Sequence, residues 1–441
     1  MRRRRRLVCA GLALLLGSGG ALAWQEAHRQ VPLHQDGVVR DARGALVVVP
    51  VGAGAGAWLP LTGAPEDRWL EVSLLAARAA GDQAHLADGL LPPPDHPHGD
   101  MARAALRDLH TLTGPEGTAP GAVLAGASPA WRFVWPRDAS FAAAALARTG
   151  HHAEALSVLL HLQELQGADG SFQARYLPDG SGEVPDGRPA QEDGPGWALW
   201  ATRVLVEEWT AGPGQPDPSV LVGDLVARSA ARLLHRIDPA TGLPRPSPDY
   251  WERPEDELTL GVAATALMGL EAAAALERDG RVPDAAWASA GVDPGDLAPA
   301  AADLRRRVVD EFGPHYPRYA GGRPDAAVTF LLPPFLDEPV PGAEAARLRA
   351  QRAQARPAGG VAPGAGWRRD GVSWTPQTAL QALAAREAGR HEEADRWLDW
   401  LDRHRTATGA LPEKVLHDGS PAAVAPLAWT AALVLLAVER R

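Results

Sequence analysis

Residues 135–172, WPRDASFAAAALARTGHHAEALSVLLHLQELQGADGSF, align without a gap on residues 374–411, WTPQTALQALAAREAGRHEEADRWLDWLDRHRTATGAL. Gly150 falls on Gly389, Ala155 on Ala394, Leu159 on Leu398, Leu162 on Leu401 and Gly170 on Gly409. Each copy reads as a helix, a tight turn at glycine, a second helix and a glycine loop. Such a pair returns the chain to the end it left. The residues before its first helix and after its second therefore share one end of the structure.

Outward from the repeat, Ala and Leu recur at spacings of three and four. The spacing predicts helices near 67–80, 100–112, 139–149, 152–166, 195–210, 218–236, 258–277, 297–312, 343–354, 375–388, 391–406 and 424–440. Helices in such pairs, with long irregular loops on one side only, predict an all-α fold, an (α/α)6 toroid over residues 65–441. An open helical solenoid is the competing architecture. Residues 24–64 are Val- and Gly-rich and too short for a substantial domain. Ala45-Leu-Val-Val-Val49 is their best strand.

The start of the chain has a different character. Arg2 to Arg6 precede an apolar stretch from Leu7 to Leu22, which ends in Ala21-Leu-Ala-Trp24. A charged region, a short apolar region and a small-x-small site predict a secretory signal over 1–23; an uncleaved membrane anchor is the alternative. The expected location is secreted or cell-envelope. Cleavage after Ala23 would take five Arg from a chain of formal charge -10, leaving -15, and would remove Cys9, the only cysteine.

Composition excludes several classes. One cysteine gives no intrachain disulfide and no thiolate zinc site. There is no Asn, hence no N-glycosylation acceptor, and a single Lys and a single Ile, a bias of codons rather than of function. With 44 basic against 54 acidic residues, nucleic acid is an unsuitable partner. The 14 His show no metal-ligand spacing, so neither metal nor cofactor is expected.

Four polar clusters stand before or after predicted helices: Trp131-Arg-Phe-Val-Trp-Pro-Arg-Asp138, Gly187-Arg-Pro-Ala-Gln-Glu-Asp-Gly-Pro-Gly-Trp197, Asp249-Tyr-Trp-Glu252 and Gly409-Ala-Leu-Pro-Glu413. The first three set a carboxylate beside Trp, Tyr or Arg, in a chain with 4 Tyr and 6 Phe. Aromatic faces stack on sugar rings, and charged groups bind hydroxyls. Two carboxyls across such a pocket, one protonated and one ionised, are what glycoside hydrolysis needs. The plain alternative for each cluster is a helix cap or a loop salt bridge.

The order and separation of Trp135-Pro-Arg-Asp, Gly187-Arg-Pro-Ala-Gln-Glu-Asp-Gly-Pro, Tyr250-Trp-Glu and Leu411-Pro-Glu resemble glycoside hydrolase family 15, the glucoamylase-like enzymes, over roughly residues 70–441. The resemblance implies a six-hairpin α/α barrel and an exo-acting, inverting hydrolase of terminal α-linked glucosyl units, acting as a monomer on carbohydrate. It implies Glu252 as general acid and Glu413 as general base. It also implies that Arg137 and Asp138 grip the terminal sugar, that Trp135 and Trp251 wall the pocket, and that Gln191 and Asp193 lie beside the substrate. Trp374, the repeat partner of Trp135, is a pocket or core residue; Asp325 is read as a turn residue. Bacterial relatives usually carry a β-sandwich ahead of the barrel, where this chain has about 45 residues. Fungal relatives follow the acid with a second Glu, where this chain has Arg253, expected to point outward. The base is often followed by Gln, where this chain has Lys414. A non-catalytic sugar-binding or cell-envelope protein on the same toroid, or another α/α-barrel enzyme such as a lyase, are the competing functions.

Overall fold

The computed structural model describes residues 29–41, 43–52, 59–60, 69–70, 86, 89–210 and 216–439. The expected signal and most of the helix expected at 67–80 lie outside the described residues. At the N-terminal side, β1 (Gly37–Arg40) pairs antiparallel with β2 (Leu46–Val49), and the hairpin packs on α1 (Gly99–Leu112).

The remaining long helices are α2 (Pro136–Arg148), α3 (His152–Leu165), α4 (Gly194–Glu208), α5 (Gly223–Arg236), α6 (Leu260–Arg278), α7 (Leu297–Phe312), α8 (Ala343–Gln354), α9 (Thr375–Glu387), α10 (His391–Arg403) and α11 (Ala428–Ala437). Their neighbours define two rings. In the inner one α2 packs on α4, α4 on α6, α6 on the 3-10 segment Ala326–Leu331, that segment on α9, α9 on α11, and α11 back on α2. Outside it, α3, α5, α7, α10 and α1 cover α2, α4, α6, α9 and α11, and α8 covers the 3-10 segment. The toroid is complete, but one of its six inner elements is not an α-helix. Short, Pro-bounded Ala326–Leu331 carries no helical periodicity long enough to be read from sequence.

Sequence explains which helices go inside. α2 carries Ala142 to Ala145 in a row, and all of its residues but Arg148 are buried. Small side chains let backbones approach. A Cβ added at Gly196 of α4 would lie 2.2 Å from the Thr265 carbonyl of α6, and one at Gly269 would lie 2.8 Å from Gly196 Cα. Helix α6 is long and apolar enough to cross a membrane by those criteria alone, yet it is buried in the core. Outer helices are one-sided: α5 buries Leu225, Val226, Ala227, Ala230 and Leu233 and leaves Arg228, Arg232 and Arg236 half-buried on its other face.

The repeat extends beyond its helices. Turns at Gly150 (φ 85°) and Gly389 (φ 69°) join each pair, in the left-handed region glycine tolerates. Val134 bridges Tyr176 antiparallel, and Ser373 pairs antiparallel with Val415, the equivalent positions in the second copy. The chain entering each pair is thus tied to the chain leaving it, at one end of the toroid. Beneath that end Phe141, Trp197, Trp200, Phe330 and Phe335 pack edge-on and tilted, with centroids 4.8–6.1 Å apart, and plug the ring.

Candidate active site

Above this plug lies a cavity of about 330 Å³. Its walls are the segments that lead into inner elements and the first turns of those helices. Arg137 and Asp138 open α2, Pro376 and Gln377 open α9, and Leu427 and Trp429 flank the start of α11. Helix N-termini offer free N–H groups and a partial positive end, which suits Asp138 in the first turn of α2.

The cavity brings together Trp135, Arg137, Asp138, Trp251, Glu252, Trp374 and Glu413. Gln191 and Asp193 do not line it, though both are buried. Asp193 takes the N-cap position of α4 and accepts a hydrogen bond from Trp197 Nε1 at 3.3 Å. Its charge acts on the cavity residues Arg137 and Glu252. Burial pushes the Asp193 carboxyl up to about 7, against the pull of Arg137. Asp325 is also outside the walls, accepting from the Tyr250 hydroxyl and from Ala327 N–H at 2.9 Å.

Arg137 is the hub. Its Nη2 lies 3.0 Å from Asp138 Oδ2 and 3.4 Å from Glu252 Oε1, and its guanidinium lies 4.4 Å over Trp429. Burial raises the Asp138 carboxyl to about 6; Arg137 opposes this, and the charge of Glu252 reinforces it.

Glu252 projects from a turn in which its own backbone has φ 55°, rare for a residue with a Cβ. The turn is held from below. Asp249 accepts Trp251 N–H at 2.9 Å and Thr259 Oγ1 at 2.8 Å, and its carbonyl accepts Glu252 N–H at 2.7 Å. Arg318 donates both Nη groups to Asp249 at 3.0 Å, one of them also to Glu255 at 2.7 Å, and stacks 3.8 Å from the Trp251 ring. Helix α6 begins only at Leu260, capped by Thr259, so Glu252 is not a helix-cap carboxylate. Arg253 is exposed, as expected.

Glu413 sits just before the short strand Lys414–Val415; its N–H donates to Val424 O at 2.8 Å and its carbonyl accepts from Thr375 N at 3.1 Å. Lys414 Nζ donates to Glu413 Oε2 at 3.0 Å and lies 4.3 Å over Trp374. Trp374, Trp367 and Trp251 follow edge to face at 5.5 and 4.7 Å, forming an aromatic wall. Among the residues that line the cavity, Nε1 of Trp135, Trp251, Trp367, Trp374 and Trp429, with Nε and Nη1 of Arg137, are buried donors without a partner. Buried donors are normally satisfied. A ligand rich in hydroxyl acceptors would satisfy a row of them.

Sequence reading missed Trp131, Arg175, Arg188, Trp367, Gln377 and Trp429 as wall residues. Gln377 was within reach, because the repeat sets it on Asp138. Trp131 and Arg188 lay inside quoted clusters. Arg175, Trp367 and Trp429 carry no local signal. Among the described residues no group of His, Cys, Asp or Glu could hold a metal ion.

Comparison with solved structures places the architecture. A glycosidase, solved as the wild type and as a variant in complex with glucose, superposes with TM-scores of 0.59 and 0.60 at 21% identity, over 76% of this chain and 95% of that one. The fold is the glucoamylase-like (α/α)6 toroid. The glucoamylase of Saccharomycopsis fibuligera gives 0.57 at 14% identity, over 75% and 91% of the two chains. A bacterial glucoamylase complexed with acarbose gives 0.56 at 16%, over 76% of this chain and 54% of that one. No family model matches the chain, and no curated protein matches it in sequence.

Proposed function

We propose that this glucoamylase-like chain is a glycoside hydrolase, exo-acting and inverting, that removes terminal α-linked glucosyl units from an oligo- or polysaccharide. The observation that carries the reading is a small pocket lined by Glu252 and Glu413 and surrounded by unpaired indole and guanidinium donors. One structural neighbour holds glucose and another acarbose, which suits the same ligand class.

In this reading Arg137, Asp138 and the indoles hold the hydroxyls of the terminal sugar. Protonated Glu252 gives its proton to the glycosidic oxygen as the bond from that oxygen to the anomeric carbon breaks. Ionised Glu413 takes a proton from the water that attacks the anomeric carbon from the opposite face. The products are a free sugar of inverted configuration and a leaving group with a new hydroxyl. Lys414 Nζ holds one oxygen of Glu413 at 3.0 Å. No cofactor takes part, and the acting unit is one chain. Residues 1–23 are proposed to direct export, which N-terminal sequencing of the secreted product tests.

Glu252→Gln and Glu413→Gln should each lower kcat at least 10³-fold, roughly, with circular dichroism unchanged. Full activity in either variant rejects the reading, as does release of the retained anomer seen by proton NMR. Arginine contacts on both oxygens of Glu252 favour a second reading, a toroid that binds sugar without turnover. Saturable glucoside binding with no product from the parent protein would select it.

A further inference from the structure

Glu252 meets two guanidinium groups, and the two differ in kind. Arg137, on the first turn of α2, is buried and already paired with Asp138. Arg188 lies on the exposed loop that precedes α4, with its side chain 39% exposed, and donates through Nη1 to Glu252 Oε2. Asp186 braces it at 3.2 Å and is in turn held by Arg175. Arg175 packs 4.4 Å from Phe133 and 5.0 Å from Trp135. A chain of alternating charge, Arg175–Asp186–Arg188–Glu252, therefore borders the cavity.

This arrangement conflicts with proton donation. An acid must carry hydrogen on one carboxyl oxygen and aim it at the acceptor. Here Oε1 of Glu252 accepts from Arg137 at 3.4 Å and Oε2 accepts closely from Arg188, so the better-held oxygen faces a cation instead of a substrate oxygen. Arg137 is fixed by burial, and the Glu252 turn is fixed by Asp249 and Arg318. The group able to withdraw is Arg188, whose ion pair is part-exposed.

We propose that Arg188 is a latch, a positioning residue that keeps Glu252 idle in the empty pocket and withdraws when the leaving-group side of a substrate enters. This rests on the reading of Glu252 as the acid. The charged groups that face Glu252 are Arg137 and Asp138 from α2, Arg188 from the loop and Asp193 from the start of α4. Of these, Arg188 alone can leave without exposing a buried partner.

The test compares Arg188→Ala, Arg188→Lys, Glu252→Gln and the parent protein on a terminal α-glucoside, with kcat and KM measured across pH. The alanine variant should raise kcat/KM roughly 3- to 10-fold, mainly through KM, since substrate no longer competes with the ion pair. The lysine variant keeps the charge and should return KM toward the parent value. Lower kcat/KM in Arg188→Ala, or an unchanged KM, overturns the latch. An inactive Glu252→Gln beside such a result leaves the acid in place and removes only the latch. A fully active Glu252→Gln removes both.

Discussion

Asp193 offers a quantitative check on the electrostatics beneath the pocket. It is 1% exposed; Oδ2 accepts from Trp197, and Oδ1 has no partner. Burial raises its carboxyl to about 7, against about 3.9 in an unfolded chain. Between these values the folded state holds a proton that the unfolded state releases, so stability falls as pH rises. At about 1.4 kcal/mol per pH unit over roughly three units, ionising Asp193 in place costs on the order of 4 kcal/mol. Asp193→Asn keeps the shape and an acceptor for Trp197 and removes the charge. Its stability relative to the parent should be nearly level near pH 4 and should improve with rising pH, by a few kcal/mol above pH 7. Asp138 and Asp325, also raised by burial to about 6, titrate in both proteins and cancel to first order in the difference. Urea unfolding of both chains at several pH values reads the effect directly. A stability difference that does not change between pH 4 and pH 8 would refute the argument, whatever its absolute size.

Arg318→Met should cost about 3–5 kcal/mol in urea unfolding, because it leaves buried Asp249 and Asp325 facing no cation. Adding Asp249→Asn to it should recover part of the loss, and an additive double variant would count against a shared network. Gly196→Ala should destabilise by about 1–3 kcal/mol or more, since its Cβ would press on the Thr265 backbone carbonyl. A thermal midpoint equal to the parent's would show that α4 and α6 can part without cost.

The fold was legible because it repeats. Register between the copies places Trp135 with Trp374 and Asp138 with Gln377, and these positions line one cavity with Glu413. Inner helices were legible as helices but not as inner, since all-round burial comes from their neighbours. The 3-10 element at Ala326–Leu331 was missed because it is too short to show a period. The site was legible where its residues are adjacent in sequence. It was not legible where distant groups converge, and the cations at Glu252 show why. Arg253 follows it in the chain and is exposed, while Arg137 and Arg188 are 115 and 64 residues away and touch it. A charge next in sequence says little about a carboxyl on a turn whose neighbours point to opposite sides.

This convergence limits what can be learned from Arg137 itself. Its guanidinium contacts Asp138 and Glu252, lies over Trp429, and acts through space on Asp193. Removing it would take away a proposed sugar contact and also leave buried Asp138 and Asp193, whose carboxyls burial already raises, without their cation. Lost activity in such a variant would not show that Arg137 touches sugar. The indoles are the cleaner probes. Trp135, Trp367 and Trp374 line the cavity, and their unpaired N–H groups carry no charge that other residues depend on. The charged hub ties Asp138 and Glu252 together, while the aromatic wall presents uncharged surface and unpaired N–H groups. These roles separate cleanly in the structure because the ionic contacts come mainly from α2 and the loop before α4, and the stacked indoles from the segments before α6 and α9.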